Sequence, residues 1–132
     1  MTVKYHSNKV VVGIDPANSG SAVVILNGKI TAVALWDKVT RKKKKAYKLK
    51  ISYQGKVQET IVRTSSHIGH VLSNQPFLSN CHAIASEDCY MGRNARTAIY
   101  LARIGSSISA PLEVKSGFPT TFVKPNVWRS VV

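Results

Sequence analysis

The sequence predicts a mixed α/β domain with a central five-stranded sheet, in which strands 1 to 3 are antiparallel and helices flank the sheet. Three observations carry this prediction: an apolar run at residues 10–14, an Asn-Gly hairpin signal at residues 27–28, and later segments with apolar residues at helical spacing. The chain of 132 residues is 44% hydrophobic, which is enough for a core of its own. We therefore expect a single domain over residues 1–132.

The first predicted strand covers residues 10–14 and leads directly into Asp15. A continuous apolar run of this length is typical of a strand that is buried on both faces. A carboxylate at the end of such a strand is costly unless a cation or hydrogen bonds hold it. Asp15 is therefore a candidate metal ligand, and the alternative is a turn residue that accepts backbone N–H groups.

The next two predicted strands complete an antiparallel meander. Residues 21–26 and 30–35 are rich in apolar and β-forming side chains, and Asn27-Gly28 between them is the strongest two-residue hairpin signal. This arrangement places Asp15 at an edge of the sheet that is lined by loops.

Positive charge is concentrated in one segment. The formal net charge is +13, and residues 38–50 hold 8 of the 19 basic residues without an acid. We expect a basic hairpin insertion that residues 51–53 return to the sheet, with its cations facing a phosphate backbone. The alternative is a solvated loop that only raises solubility. The predicted nucleic-acid contacts of this segment are Lys42, Lys43, Lys44 and Lys45.

A helix is predicted to follow the basic segment. Val57, Ile61, Ile68 and Leu72 repeat at helical spacing, so the helix should span about residues 57–72.

Two strands and a second helix complete the pattern. Residues 83–85 are a short apolar run that leads to Glu87, so another strand ends at a carboxylate. A helix with an apolar stripe begins at Ala95 and is predicted to end near Pro111. Residues 120–123 favour a fifth strand, and a final helix is predicted to begin after them.

Several other features narrow the class of protein. No apolar stretch approaches the ~20 residues of a membrane span, and the N-terminus lacks the layout of a signal peptide, so we expect a cytoplasmic protein. Cys81 and Cys89 are expected to be reduced thiols, because a chain of this size does not need a disulfide. His67 and His70 stand three residues apart without a third ligand near them in sequence, which favours a solvated helix face over a metal site.

Two acidic segments carry a resemblance to a known family. Residues 13–23 read Gly-Ile-Asp-Pro-Ala-Asn-Ser-Gly-Ser-Ala-Val, which resembles the first motif of the RuvC family of Holliday junction resolvases, within the ribonuclease H-like nuclease superfamily. Residues 84–87, Ile-Ala-Ser-Glu, resemble that family's second acidic strand. Residues 93–96, 103–105 and 123–128 also follow the family's layout, so the resemblance covers nearly the whole chain apart from the basic segment.

The resemblance implies a ribonuclease H-like fold and a metal-dependent endonuclease that resolves four-way DNA junctions by phosphodiester hydrolysis. Asp15 and Glu87 would be the catalytic carboxylates that hold Mg²⁺ or Mn²⁺, since these cations prefer oxygen ligands. Tyr90 matches a position at which the family places an aromatic residue against junction bases. The basic residues that would contact phosphates from the second helix are Arg93, Arg96 and Arg103. We also expect a homodimer, because cutting two strands of a two-fold junction needs two sites.

The sequence departs from the family at two places. Ala17 and Ser19 stand where the family commonly has glycine and threonine. The family also places a further pair of metal-binding residues on a helix after the last strand, whereas no acid follows Glu113 and the sequence stops at Val132. Two explanations stay open: the sequence is truncated before this helix, or the protein lacks part of the usual metal site. In either case we expect the domain as given to lack its C-terminal helix, and the isolated chain to bind junctions but to cut them slowly or not at all.

Three alternatives belong to other functional classes or lack the activity. The first is a branched-DNA-binding module of the same fold without nuclease activity. An actin-like nucleotide-binding fold also begins with a strand and a Gly-Ile-Asp sequence, but it needs a second related domain for which 132 residues leave no room. The third is a basic RNA-binding protein, because composition alone does not separate RNA from DNA.

Overall fold

A seven-stranded mixed sheet dominates the computed structural model, which describes residues 9–78, 81–87 and 95–123. The elements in chain order are β1 (Val10–Asp15), β2 (Gly20–Leu26), β3 (Lys29–Arg41), β4 (Lys44–Tyr53), β5 (Lys56–Val62), α1 (Ser65–Ser73), a 3-10 helix (Pro76–Leu78), β6 (Cys81–Glu87), α2 (Ala95–Ser116) and β7 (Thr120–Val123). Across the sheet the strands lie in the order β5-β4-β3-β2-β1-β6-β7. The first five strands form an antiparallel meander, and β6 and β7 pair in parallel on the other side of β1.

The sheet contains the five predicted strands, but the prediction of five strands in total is wrong. The antiparallel pairing of β1, β2 and β3 is confirmed, and Asn27 and Gly28 form their hairpin turn with φ of 55° and 83°. The third strand does not end near residue 35, because β3 continues to Arg41 and β4 pairs with it along that length. A second turn at Gln54-Gly55, with φ of 51° and 76°, then adds β5. The basic segment is thus part of the sheet: it lengthens β3 and supplies β4, and β5 then forms the edge of the sheet on this side.

The predicted helix over residues 57–72 is wrong in its first half. Lys56–Val62 is β5, and α1 begins at Ser65, where the Thr64 hydroxyl caps it by accepting a 3.1 Å hydrogen bond from the His67 N–H. The spacing that favoured a helix is ambiguous, because residues four apart share a face of a strand as well as of a helix.

The second helix begins as predicted but continues past Pro111 to Ser116. A proline inside a helix removes one backbone hydrogen bond and crowds the preceding turn. Here Ile108 and Leu112, on both sides of Pro111, are buried in the core, and this burial holds the helix together through the proline.

The core lies between one face of the sheet and the two described helices. Its largest fully buried residues from the sheet include Trp36, Leu49 and Ile84, and those from the helices include Ile68, Leu72 and Ile108. The alternate residues along the central strands are half-buried or exposed, so the expectation that β1 is buried on both faces is wrong for the described residues. The antiparallel part of the sheet, β1 to β5, tolerates this one-sided burial.

The two helices cross closely at Gly69 of α1. A Cβ atom at this position would overlap the carbonyl oxygen of Ile108 and would lie 3.0 Å from Cγ of Pro111. Glycine is therefore needed for the close approach of α1 to α2. Within the described residues, neither helix is long and apolar enough to cross a membrane.

Candidate functional site

Asp15 and Glu87 end two neighbouring parallel strands. The register of β1 and β6 pairs Ile14 with Ser86, and both of these side chains are buried. Asp15 and Glu87 are each one residue further on, so they lie side by side and share the opposite face of the sheet. Adjacent strands are ~4.8 Å apart, so the two carboxyl groups lie close together where β1 and β6 end. This end of the sheet, with Asp15 and Glu87, is named the acidic edge. Asp15 is exposed and Glu87 is half-buried.

The loop after Asp15 rests on a buried tryptophan. Trp36 is 1% exposed, and its indole N–H donates a 2.9 Å hydrogen bond to the carbonyl oxygen of Ala17. A Cβ atom at Gly20 would overlap the backbone oxygen of Asp15 and would lie 2.8 Å from the Trp36 ring, so this position has room only for glycine. The conformation of the loop at the acidic edge is therefore set by the core.

The same loop contacts the second helix. A Cβ atom at Gly105 of α2 would lie 3.2 Å from Cβ of Pro16, so the helix backbone passes close to the residue after Asp15. A cleft of ≈ 220 Å³ opens beside this contact. Its lining residues are Pro16, Glu87, Leu101, Ala102, Gly105, Ser106 and Phe122. The cleft leaves room for solvent next to Glu87, which a hydrated cation requires.

The acidic edge has the chemistry of a site for a hard divalent cation with few protein ligands. Mg²⁺ is commonly held by one or two carboxylates and completes its coordination with water and substrate phosphate oxygens, which Asp15 and Glu87 allow. In the described ranges no group of three or more His, Cys, Asp or Glu side chains is close enough to hold a metal ion. His67 and His70 lie exposed on α1, which agrees with the solvated face expected for them.

The basic hairpin projects from the same edge of the sheet. Gly20, at the start of β2, pairs with Trp36, and β3 continues five residues beyond that pair to Arg41. At ~3.3 Å per residue the hairpin extends about 17 Å past the acidic edge. Lys42 and Lys43 form its two-residue turn with φ of 50° and 63°.

All four predicted lysines of the hairpin are exposed. The four are Lys42, Lys43, Lys44 and Lys45. Three of them line a groove of ≈ 510 Å³ together with Arg63 and Ile61. The salt bridge found in this part of the described chain joins Lys48 to Glu59 at 3.7 Å, and both side chains are about half exposed, so it neutralises little of the hairpin's charge.

A hydrogen-bond network joins the hairpin, the Asp15 loop and α2. The Tyr100 hydroxyl donates to Oδ1 of Asn18 at 3.0 Å and accepts from Nζ of Lys38 at 3.1 Å. The Tyr47 hydroxyl donates to the same Asn18 oxygen at 3.4 Å. Asn18 lies three residues after Asp15, so this network fixes the loop from the side of the helix and the hairpin.

Lys38 and Tyr100 shift each other's pKa within this network. The hydrogen bond from the Lys38 ammonium lowers the pKa of Tyr100, and the same hydrogen bond raises the pKa of Lys38. Burial raises the pKa of Tyr47. Because the pKa of Lys38 and the pKa of Tyr47 are both raised, Lys38 is cationic and the Tyr47 hydroxyl is protonated at neutral pH.

The remaining predicted contacts fall into two groups. Arg96 and Arg103 lie exposed on α2, on the same side of the helix as Tyr100. Tyr90 and Arg93 lie outside the described residues, as do Cys89 and the final helix expected after residue 123. Cys81 is a free thiol, as predicted, and its side chain is buried.

Sequence reasoning missed four residues of the site: Asn18, Lys38, Tyr47 and Tyr100. Lys38 belongs to the basic segment, but nothing in its neighbours distinguishes it from the other lysines. The one usable signal was Tyr100, an aromatic residue on the polar side of α2 between two arginines. A large side chain at such a position indicates a partner on another element.

The described residues thus define a mixed α/β domain with a pair of carboxylates at the ends of adjacent parallel strands, beside a basic hairpin. No protein-family model matches the sequence, and no curated protein matches it significantly. Among solved structures, the chain is similar to RuvC of Thermus thermophilus in complex with a Holliday junction substrate, with 15% identity and a TM-score of 0.44 over 93% of this chain and 69% of that one. It is also similar to a second structure of Thermus thermophilus RuvC, with 18% identity and a TM-score of 0.40 over 88% of this chain and 64% of that one.

Proposed function

We propose that this chain is a ribonuclease H-like, RuvC-like domain that cuts branched DNA, with four-way junctions as its substrate and Mg²⁺ or Mn²⁺ as its cofactor. The observation that carries the proposal is the placement of Asp15 and Glu87. Each stands in a segment that resembles a RuvC acidic motif, and the register of β1 and β6 sets the two side by side on one face. The two residues are 72 positions apart in the sequence, and the fold brings them together. A pair of neighbouring carboxylates is an arrangement that suits a hard cation.

The chain's residues would divide the chemistry as follows. Asp15 and Glu87 would hold the metal, which supplies Lewis-acid stabilisation of the charge that develops on the phosphoryl oxygens during hydrolysis. The Trp36 and Gly20 contacts hold the Asp15 loop in one conformation, so that the carboxylate does not need to be reorganised when substrate binds. The cleft beside Glu87 has room for a water molecule, which would attack phosphorus.

The basic surfaces would position the nucleic acid. The hairpin lysines project about 17 Å beyond the acidic edge, a distance that spans several backbone phosphates. Arg96 and Arg103 lie on α2, which packs against the Asp15 loop through Gly105. A strand that enters the acidic edge therefore meets cations on two sides, and these contacts are independent of sequence. A homodimer would place two such edges on a two-fold junction.

A junction-binding domain without nuclease activity is the second candidate. It is favoured by the acidic edge itself, because the described residues bring together two carboxylates and no third metal ligand. Two-metal hydrolysis generally needs more protein oxygens than that.

The test compares Asp15→Asn with Asp37→Asn, which removes one exposed carboxylate from the hairpin and changes the net charge equally. Binding of a labelled four-way junction is measured in Ca²⁺ and cleavage in Mg²⁺ or Mn²⁺. We expect Asp15→Asn to bind as tightly as the wild type or tighter and to lose cleavage, while Asp37→Asn keeps both.

Each other outcome is informative. Cleavage that survives Asp15→Asn would reject the catalytic assignment. Binding by the wild type with no cleavage in either metal would select the non-nuclease candidate. Equal affinity for junction and linear duplex would reject selectivity for branched DNA, and failure to bind any nucleic acid would reject both candidates.

A further inference from the structure

Lys38, on the hairpin, is held in place by Tyr100 of α2. Its Nζ atom donates to the Tyr100 hydroxyl at 3.1 Å and lies 5.6 Å from the centre of the Tyr100 ring. Tyr100 is fixed in turn by Asn18, which also accepts a hydrogen bond from Tyr47. An exposed lysine normally loses rotamer freedom when it binds a ligand. In Lys38 part of that freedom is already lost in the folded protein.

The Lys38 ammonium keeps two donors for a ligand. An ammonium group carries three N–H bonds, and Tyr100 accepts one of them. Within the described residues the other two have no acceptor, and Lys38 forms no salt bridge there. The nearest acid along the chain is Asp37, which points to the opposite face of the hairpin because successive strand residues alternate.

Further cations surround this position. Arg96 and Arg103 flank Tyr100 on α2 at spacings of four and three residues, which places their Cβ atoms about 5–6 Å from that of Tyr100. Lys45, across the hairpin from Thr40, contributes positive potential at the Tyr100 hydroxyl. The hairpin cations and the arginines of α2 therefore meet at Lys38 and Tyr100.

We propose that Lys38 and Tyr100 form a binding site for one backbone phosphate of the nucleic acid. The inference rests on the proposed function in taking a nucleic acid as the ligand, and it adds a specific contact that a general basic surface does not require. Two ammonium donors would bind the phosphate oxygens, and the Tyr100 ring would lie under the adjoining sugar or base. The Tyr100 hydroxyl is hydrogen-bonded to Asn18, which lies in the loop after Asp15. A phosphate bound at Lys38 and Tyr100 would therefore fix the distance between the nucleic-acid strand and the acidic edge.

The experiment measures junction affinity in Ca²⁺ at several salt concentrations for Lys38→Met and Lys29→Met. Lys29 is the matched control, because it is an exposed lysine on the same strand at the opposite edge of the sheet. We expect Lys38→Met to weaken binding about five- to tenfold and to lower the salt slope by about 0.9, the value of one phosphate contact. Lys29→Met should change neither quantity, and Lys38→Arg should retain most of the affinity.

Replacing one charged phosphate of the DNA by an uncharged linkage identifies the phosphate that Lys38 contacts. A series of junctions, each with one methylphosphonate linkage, should reveal a position at which the wild type loses affinity and Lys38→Met does not. Tyr100→Phe, which removes the hydroxyl that orients Lys38, should give an intermediate loss. If the wild type binds and Lys38→Met matches Lys29→Met in affinity and slope, the phosphate site is wrong and the proposed function stands. If the wild type binds no nucleic acid, both are wrong.

Discussion

The indole N–H of Trp36 donates to the carbonyl oxygen of Ala17 at 2.9 Å, and this bond joins the most deeply packed aromatic side chain of the sheet to the loop that follows Asp15. Gly20 lies against the same ring with no room for a Cβ atom. The core residue Trp36 therefore holds the loop at the acidic edge, and substitutions of Trp36 should alter the position of Asp15 through this loop.

Trp36→Phe should lower both stability and cation affinity. The substitution removes the indole N–H and leaves the Ala17 carbonyl without this partner, which costs about 1–3 kcal/mol in the free energy of unfolding. Urea unfolding measures the first effect, and Mn²⁺ titration followed by water-proton relaxation measures the second. A variant with unchanged stability would show that the Ala17 bond contributes nothing in solution.

Gly69→Ala should destabilise the protein even though alanine is the better helix former. Helix propensity favours alanine by about 1 kcal/mol, but the added Cβ would overlap the Ile108 carbonyl oxygen, and such overpacking costs about 1–3 kcal/mol or more. Ser66→Ala, at an exposed position of the same helix, serves as the control and should change stability little. Thermal unfolding of both variants decides the sign, and a stabilised Gly69→Ala would contradict the close crossing of α1 and α2.

Replacement of Lys42, Lys43, Lys44 and Lys45 by serine should weaken binding to branched and linear duplex alike. Each lysine that contacts a phosphate contributes about 0.9 to the slope of log affinity against log salt, so the slope should flatten in proportion to the number engaged. Junction preference should survive, because a charge run does not read DNA structure. Titrations at four salt concentrations measure both quantities, and an unchanged slope would mean that these lysines are solvated and make no contact.

Cys81 should react slowly in the folded protein. Burial raises the pKa of its thiol, so less thiolate is present near neutral pH than for a free cysteine. Because the folded-state pKa is raised, the stability linked to Cys81 is present below the ordinary thiol pKa and is lost as the pH rises through the folded value. In a Cys89→Ser background, iodoacetamide should modify Cys81 much faster in urea than in buffer. Equal rates would contradict its burial.

Local patterns accounted for much of the fold. The apolar run before Asp15 and the Asn27-Gly28 turn identified the first three strands of the meander. A short apolar run identified β6, and a run of β-forming residues identified β7. Glu87 was paired with Asp15 because the two segments resemble the acidic motifs of the RuvC family. The region around β5 was not predictable in this way, because Val57 and Ile61 fit one face of a helix and one face of a strand equally well.

The network around Tyr100 was not predictable for a different reason. Its hydrogen bonds join Tyr100 to Lys38, 62 residues away, and to Asn18, 82 residues away. Such pairs depend on how α2 packs against the loop and the hairpin, and no local pattern in a single sequence encodes that packing. The hairpin's cations were identified from their charge, whereas the hydrogen bond that orients Lys38 emerged only from tertiary structure.

The pairing of β3 with β4 runs without interruption from Ala32 opposite Tyr53 to Arg41 opposite Lys44. Side chains in such a ladder return to the same face every second residue. Removing the pairs Val39 with Ala46 and Thr40 with Lys45 would thus draw the tip inward by about 7 Å, close to one nucleotide step, without exchanging the two faces. Removing a single pair would turn the outer cations to the wrong side. The reach of the hairpin therefore changes in steps of two residues. Under the proposed function, its length would set how far from the acidic edge a nucleic acid is bound.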